Sequence, residues 1–265
     1  MAENKEISKT ALSIAGSDSS GGAGIQADLK TFTALGVYGA TAVTCVVAEH
    51  PGRVKSVHPV PVKNIVEQIE LVFEAFPVHA VKTGMLYSEE IIKAASRCLA
   101  RRKRMQLVVD PVMVATSGAR LLKKSATRAL CDLLLPLATL VTPNLDEAAI
   151  LAERPLRNVE EMKAAALLCA RRWGVSFLIK GGHLKLKQAV DIFSDGQRVV
   201  EFSALAIPNV KTHGTGCTYS AAICAYLAQG YSLLEAIGEA KKFVTHAIRG
   251  HVKLGKFQLL NHSLS

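Results

Sequence analysis

The chain predicts an α/β fold built on a mainly parallel sheet with helices on both faces. Two patterns predict it: short runs rich in Val and Ile alternate with amphipathic stretches long enough for helices, and Gly-, Asp- and Pro-containing motifs follow the apolar runs directly. Composition agrees. Of 265 residues 49% are hydrophobic but only 5% aromatic, so Ala, Val, Leu and Ile must fill the core, as they do where parallel strands are covered on both faces.

In chain order, 11-ALSIAG-16 is an apolar run ending in Gly, followed by SDSSGGAG and the helical pattern IQADLKTFTALG. The first unit therefore reads as strand, Gly-rich loop and helix. AVTCVVAE (42–49), AVKTGM (80–85), QLVVDPVM (106–113), TLVTPN (139–144) and SFLIKGG (176–182) read as further strands, separated by helical stretches such as NIVEQIELVFEAF and EEMKAAALLCARRW. The stretch VDIFSDGQRVVEFSALAIP reads as a hairpin turning at Asp195-Gly196. THGTGC (212–217) then opens a helix of small residues, SAAICAYLA. No linker, repeat or low-complexity tract interrupts the alternation. Residues 1–265 thus read as one domain with a polar tail over about 1–8.

The start, MAENKEISKT, has no apolar core for secretion, and no stretch approaches ~20 uninterrupted apolar residues, so the reading is a cytoplasmic chain with no membrane partner. The six cysteines are scattered without CxxC pairs, which argues against a disulfide framework or zinc site and for buried, reduced thiols. The net charge of +10 suits nucleic acid, an anionic surface or phosphorylated small molecules. The basic clusters at 101–104, 122–124 and 185–187 lack interleaved aromatics for base stacking, which disfavours nucleic acid.

In open parallel sheets ligands bind at the carboxyl ends of the strands, where GSDSSGGAG, the Gly84-Met85 step, DPVM, TPNLDE and KGGH all fall. In the last turn, Gly214 and Gly216 permit positive φ and close approach of a phosphate. The N–H groups from Gly214 through Thr215 and Gly216 to Thr218 can converge at a helix start, where the dipole favours negative charge. The plainer reading is a Gly-rich turn beside a buried Cys. Cys217 at that N-terminus is expected to have a lowered pKa, and its thiolate could take the proton of an attacking hydroxyl; Cys224, two turns on, has no such setting. Asp110 and Glu147 follow separate strands and are candidates for Mg²⁺, a hard ion that borrows one or two carboxylates, though either could instead cap a helix. Lys180 closes an apolar strand, where burial demands an anion. His213 and His183 flank these motifs and read as solvated or capping unless geometry promotes them.

Taken together, AGSDSSGGAGIQADLKTF, VKTGML, DPVMVATSG, TPNLDEA, IKGGH and THGTGCTYSAA, in this order over about residues 9–250, resemble the hydroxymethylpyrimidine/phosphomethylpyrimidine kinases of thiamine synthesis, within the ribokinase-like superfamily. The resemblance implies a three-layer α/β/α fold, usually dimeric. It implies an enzyme that uses ATP and Mg²⁺ to phosphorylate 4-amino-5-hydroxymethyl-2-methylpyrimidine and then its monophosphate. It places Cys217 where much of the superfamily carries an Asp base, with Gly214, Thr215 and Gly216 as the anion hole. Lys180, Gly182 and Thr212 would meet the nucleotide, Asp110 and Glu147 the metal, and Gly16, Ala23, Asp28, Met85 and Val112 the pyrimidine. One position departs from the pattern. Where the family usually has a Gln reading the aminopyrimidine edge, this chain has Glu49, which when ionised can only accept hydrogen bonds. A pyridoxal kinase of the same branch is the nearest alternative. A catalytically silent binding module is the alternative of another class, and the retained transfer residues speak against it.

Overall fold

The computed structural model describes residues 9–102, 105–113, 124–182, 187–210 and 212–263; the side chains of Lys124 and Thr212 are outside that description. The strands are β1 (Thr10–Asp18), β2 (Tyr38–His50), β3 (Arg53–Pro59), β4 (Val78–Thr83), β5 (Gln106–Val109), β6 (Leu140–Val141), β7 (Ser176–Ile179), β8 (Gln188–Ser194), β9 (Val199–Leu205), β10 (Thr212–His213), β11 (Val252–Leu254) and β12 (Phe257–Leu259). The α-helices are α1 (Gly24–Ala34), α2 (Val62–Ala75), α3 (Glu89–Ala100), α4 (Lys124–Ala129), α5 (Leu145–Ala152), α6 (Val159–Trp173), α7 (Thr215–Ala228) and α8 (Leu233–Arg249).

One sheet of nine strands runs in the order β3-β2-β1-β4-β5-β6-β7-β8-β9. From β2 to β7 every pairing is parallel, while β3 on one edge and β8 and β9 on the other pair antiparallel. The mainly parallel sheet expected from the sequence is therefore present. Alternation along each strand sends neighbours to opposite faces. Leu12, Val81, Leu107, Val141 and Phe177 pack with α2, α3, α5 and α6, whereas Ala11, Ala80, Val108, Leu140 and Leu178 pack with α1, α7 and α8. These two cores make the three layers of the ribokinase-like fold. Helix α7 carries almost no polar face because it is covered on all sides, which is why its sequence is so rich in Ala.

The strands stop short of the motifs that follow them. β5 ends at Val109, before Asp110-Pro111, and β7 at Ile179, before Lys180. The hairpin at Asp195-Gly196 is as read: Gly196 takes φ +88°, and Asp195 accepts the amides of Gln197 and Arg198. Two features have no counterpart in the sequence reading. β3 is one, because its mixed sequence RVKSVHP lies on an exposed edge that needs no apolar run. The other is a small sheet, β10-β12-β11, beyond α8. Among the described residues no helix is long and apolar enough to cross a membrane.

Candidate active site

The strand order reverses between β1 and β4: β2 lies to one side of β1, and β4, β5 and β6 to the other. A crevice opens at such a switch point, outside the carboxyl ends of the strands. Asp18, Gly84-Met85, Asp110, Asn144 and Lys180 follow or end β1, β4, β5, β6 and β7 and surround it.

The turn before α7 is packed against the loop after β1. Gly214 is the N-cap of α7 with φ +82°, and a Cβ there would sit 1.7 Å from the Gly22 carbonyl oxygen, so only glycine fits. A Cβ on Gly216 would lie 3.2 Å from Lys180 Nζ and 4.0 Å from an Asp110 oxygen. The start of α7 thus lies beside a lysine and a carboxylate. Thr215 is the first helical residue. Thr212 is placed by its backbone in β10, just before the turn, and Gly182 stands exposed with open space around its Cα.

Asp110, Lys180 and Glu147 form one cluster. Lys180 Nζ lies 2.9 Å from Asp110 Oδ1, and Asp110 also accepts from Ser220 of α7 at 3.2 Å. Burial would raise the Asp110 carboxyl, but the charges of Lys180 and Lys82 outweigh it and hold it below the usual carboxylate range. Glu147 caps α5: its Oε2 accepts the Asn144 amide at 2.9 Å, closing a capping box, and its Oε1 accepts the Met113 amide at 3.1 Å. The capping alternative is therefore realised, and the carboxyl still belongs to the charged cluster. Burial pushes its pKa up to about 7, with Asp110 adding to the rise and Lys180 opposing it.

Cys217 sits at the third position of α7, partly open to the crevice, and the Gly24 amide hydrogen-bonds its sulfur. The expected lowering of its pKa is not found. Burial raises the thiol to about 11; Lys82 and the Gly24 amide pull it down, but the charges of Asp110 and Asp28 add to the rise. A helix N-terminus does not offset desolvation among carboxylates, so the resting group is a thiol. Among the described residues all six cysteines are free, and Cys224 is buried in α7.

On the other side of the crevice, Gly16 faces Cys45 and Met85: a Cβ at 16 would lie 2.8 Å from Cys45 Sγ and 3.7 Å from Met85 Sδ. Val112, whose amide turns back to the Asp110 carbonyl, is half-buried in the chain leading from β5. Asp28, expected on the substrate side, is wholly buried, its two oxygens 2.8 and 2.9 Å from Lys82 Nζ and one of them 2.5 Å from Ser13 Oγ. Helical periodicity turns it toward the sheet, where Lys82 points the same way. Burial disfavours the Lys82 cation, but Asp28 outweighs that and raises its pKa. A lone Lys inside the apolar run AVKTGM was the signal for this pair, since a strand lysine can be buried only against an anion.

Asp18 was not singled out from the sequence, and His213 was left to geometry. Asp18 accepts the amides of Ser20, Gly22 and Ala23 at 2.7, 3.1 and 2.8 Å, the Ser20 hydroxyl, and His213 Nε2 at 3.1 Å. Burial works to raise the carboxyl, yet the hydrogen bonds led by His213 and Ser20 hold it well below the usual range, so it accepts and His213 Nε2 carries the proton. Ser19 Oγ pairs with the backbone of Glu49 in both directions, at 2.8 and 2.9 Å. Asp18, Glu49 and His213 each bring one atom within 4.8 Å of the others, a grouping with cation-site dimensions. The donors already filling Asp18 make it a clasp rather than a metal ligand. Burial and the Asp18 charge raise the Glu49 carboxyl, with His213 opposing.

A groove of about 600 Å³ lies between β9 and α8, lined by Phe202, Ser203, Gly238, Lys241, Thr245 and neighbouring residues. Asp191 ties it to the crevice, accepting Lys241 Nζ at 2.6 Å and the Gly181 amide at 3.0 Å. His183 and residues 114–118 of the DPVMVATSG motif lie outside the described residues, as does most of each basic cluster at 122–124 and 185–187.

Comparison with known proteins gives the same picture. Residues 18–261 match the family model for phosphomethylpyrimidine kinase. The chain is 50% identical over 239 residues to the hydroxymethylpyrimidine/phosphomethylpyrimidine kinase of Rhizobium meliloti, covering 90% of each chain. It is 46% identical over 245 residues to the thiamine biosynthesis bifunctional protein ThiED of Geobacter sulfurreducens, covering 92% of this chain but spanning only half the length of that protein. It also superposes on an ADP complex of Bacillus subtilis pyridoxal kinase with a TM-score of 0.89 at 41% identity, over 96% of this chain and 97% of that one. The chain belongs to the phosphomethylpyrimidine kinase family and is a phosphotransferase.

Proposed function

We propose that this family member transfers the γ-phosphoryl group of ATP to the hydroxymethyl group of 4-amino-5-hydroxymethyl-2-methylpyrimidine, and then to the resulting monophosphate, as a step toward thiamine diphosphate. The observation that carries the reading is the meeting, at one switch point, of the N–H turn Gly214–Gly216, the Lys180–Asp110–Glu147 cluster and the Gly16–Met85–Glu49 side of the crevice. It describes a kinase of one domain, working in the cytoplasm as a homodimer, with no nucleic-acid or membrane partner.

Phosphoryl transfer asks the protein mainly to position groups and to neutralise charge. The N–H groups of Gly214 through Thr218 receive the transferred phosphoryl oxygens at the positive end of α7, with Lys180 beside them. The groove between β9 and α8 takes the base and ribose, because Asp191 joins its floor to the Gly181 amide next to Lys180. Thr212 and Gly182 border the phosphates. Asp110 and Glu147 are oxygen donors of the type Mg²⁺ prefers. Both are already committed to protein partners, so they suit a metal that keeps its own waters and is held through them. Bound there, Mg²⁺ would neutralise phosphate charge. On the substrate side Gly16, Ala23, Met85 and Val112 border the pyrimidine, and Glu49 accepts from its amino group. Cys217 faces the attacking hydroxyl and takes its proton only from the thiolate form.

A pyridoxal substrate is the second reading, favoured by the carboxylate at Glu49 and by the similarity to a pyridoxal kinase. A coupled ADP-release assay with hydroxymethylpyrimidine, its monophosphate and pyridoxal side by side tests both. Turnover of the two pyrimidines above that of pyridoxal upholds the main reading. A strong preference for pyridoxal replaces it, and no turnover of any alcohol leaves the silent binding module.

A further inference from the structure

The segment after α8 touches the phosphate-binding turn from both sides. On one side β12 pairs in parallel with β10, placing Gln258 opposite Thr212 and Leu259 opposite His213, immediately before Gly214. On the other, His262 Nε2 lies 3.0 Å from the hydroxyl of Thr218, immediately after Cys217. Thr218 is fully buried, and its amide closes the first turn of α7 onto the Gly214 carbonyl at 2.9 Å. The segment is itself anchored. Leu260 is buried, the Asn261 amide donates to the Ala247 carbonyl of α8 at 3.2 Å, and β11 pairs along β12. Phe257 packs against His50 with ring centroids 5.3 Å apart and planes tilted by 42°, reaching the end of β2 next to Glu49.

The chemistry of the ring fixes the direction of the His262 contact. Burial and the nearby Lys30 charge lower the His262 pKa to about 4, against a smaller opposing effect of the Leu260 carbonyl, so the ring is neutral and has one N–H. The Leu260 carbonyl acts on the ring as an acceptor, which favours the N–H on the nitrogen turned away from Thr218. Nε2 is left to accept from the Thr218 hydroxyl.

We propose that His262 is a positioning residue for phosphoryl transfer: it fixes the first turn of α7 through Thr218 while β12 fixes the strand before Gly214, so that the N–H groups between are held convergent. The inference rests on the kinase reading for its catalytic consequence, but not for its structural one. N–H groups that wander by a fraction of an ångström lose stabilisation of the transferring group before they lose ground-state binding.

The variants are His262→Leu, His262→Gln and Thr218→Val, the last nearly isosteric and safe for folding. Gln keeps an acceptor for the Thr218 hydroxyl. The expected result is a single-turnover rate constant about tenfold lower in His262→Leu and in Thr218→Val, with the KM for the alcohol within about twofold of wild type. His262→Gln should recover most of the rate, and the double variant His262→Leu/Thr218→Val should be no slower than either single variant. A purely structural role would lower the burst amplitude through the folded fraction and leave the rate constant alone. Amide hydrogen exchange over residues 214–218 gives a readout independent of activity and should quicken in both single variants. Unchanged exchange and an unchanged rate constant in Thr218→Val overturn the proposal, as does a His262→Gln variant no better than His262→Leu. If wild type phosphorylates no alcohol, the kinase reading fails, and the exchange measurement alone decides whether His262 holds the turn.

Discussion

Replacing Lys82 by Met tests the account of Asp28. Both side chains are fully excluded from solvent, and Lys82 Nζ is bonded to both carboxylate oxygens at 2.8 and 2.9 Å. Met fills nearly the same volume, so the change removes charge rather than packing. The carboxylate then keeps only the Ser13 hydroxyl, at 2.5 Å. Breaking a buried pair from one side typically costs ~3–5 kcal/mol, because the remaining charge is uncompensated. The deficit should depend on pH with a definite sign. Burial already raises the Asp28 carboxyl against the opposing charge of Lys82; without Lys82 it rises further, so the folded variant binds the extra proton. Each unit by which pH falls below the raised pKa restores up to ~1.4 kcal/mol, until the unfolded carboxylate also protonates. Equilibrium urea unfolding at two pH values measures this: Lys82→Met should be clearly less stable than wild type at pH 7.5 and should regain part of the loss at pH 5.5. Lys82→Met/Asp28→Leu should be more stable than Lys82→Met alone. A Lys82→Met variant within ~1 kcal/mol of wild type at pH 7.5 would refute the buried-pair account. An Asp28→Asn variant with a raised substrate KM and unchanged unfolding would return Asp28 to the pocket.

Because burial raises Cys217 to about 11, a thiolate base predicts that single-turnover phosphorylation of the hydroxymethyl group speeds up by about tenfold per pH unit from neutral to pH 9. The monophosphate, already ionised, should show no such slope, and a flat profile for both substrates removes Cys217 as base. Gly214→Ala meets both a positive φ and the Gly22 carbonyl at 1.7 Å, so it should cost at least ~2 kcal/mol in unfolding free energy and nearly all turnover. Wild-type activity and stability in this variant would show that the turn is not rigidly seated. The Glu49 carboxyl, raised by burial and by Asp18, can donate and accept while protonated and only accept once ionised. The KM for the pyrimidine should therefore rise with pH through that transition in wild type, and the rise should be flattened in Glu49→Gln; identical profiles would place Glu49 away from the ring.

Local chemistry was readable from the sequence; partnership between distant residues was not. The strands announced themselves because the part of a parallel strand covered on both faces must be apolar, as FLI in β7 and LVV in β5 are, and the motifs stood out because they follow those runs. β3 was missed for the converse reason, since an exposed edge carries no apolar signature. Asp28 and Lys82 lie 54 residues apart, and only the register of β1 with β4 brings the second beneath the first. A lysine in a strand says that an anion is needed, but not which one. Cys217 shows the same limit in another form. Its place at a helix start was legible, but its burial, which raises the thiol, and the neighbouring charges of Lys82, Asp110 and Asp28, which act on it in opposite senses, come from the folded chain, and burial reversed the expectation.

That sum also explains what the net charge of the chain could not. The count of +10 pointed toward an anionic partner, yet the crevice itself holds little surplus positive charge among the described residues. Lys82 is neutralised by Asp28 and Lys180 by Asp110, while Glu147 at about 7 carries part of a further negative charge and Asp18 sits across the crevice. What remains to attract a phosphate is the positive end of α7, worth only ~0.5 of an elementary charge. A nucleotide carrying several negative charges therefore meets a site that is neutral to slightly negative, and it binds well only if it arrives with a cation or displaces Asp110 from Lys180.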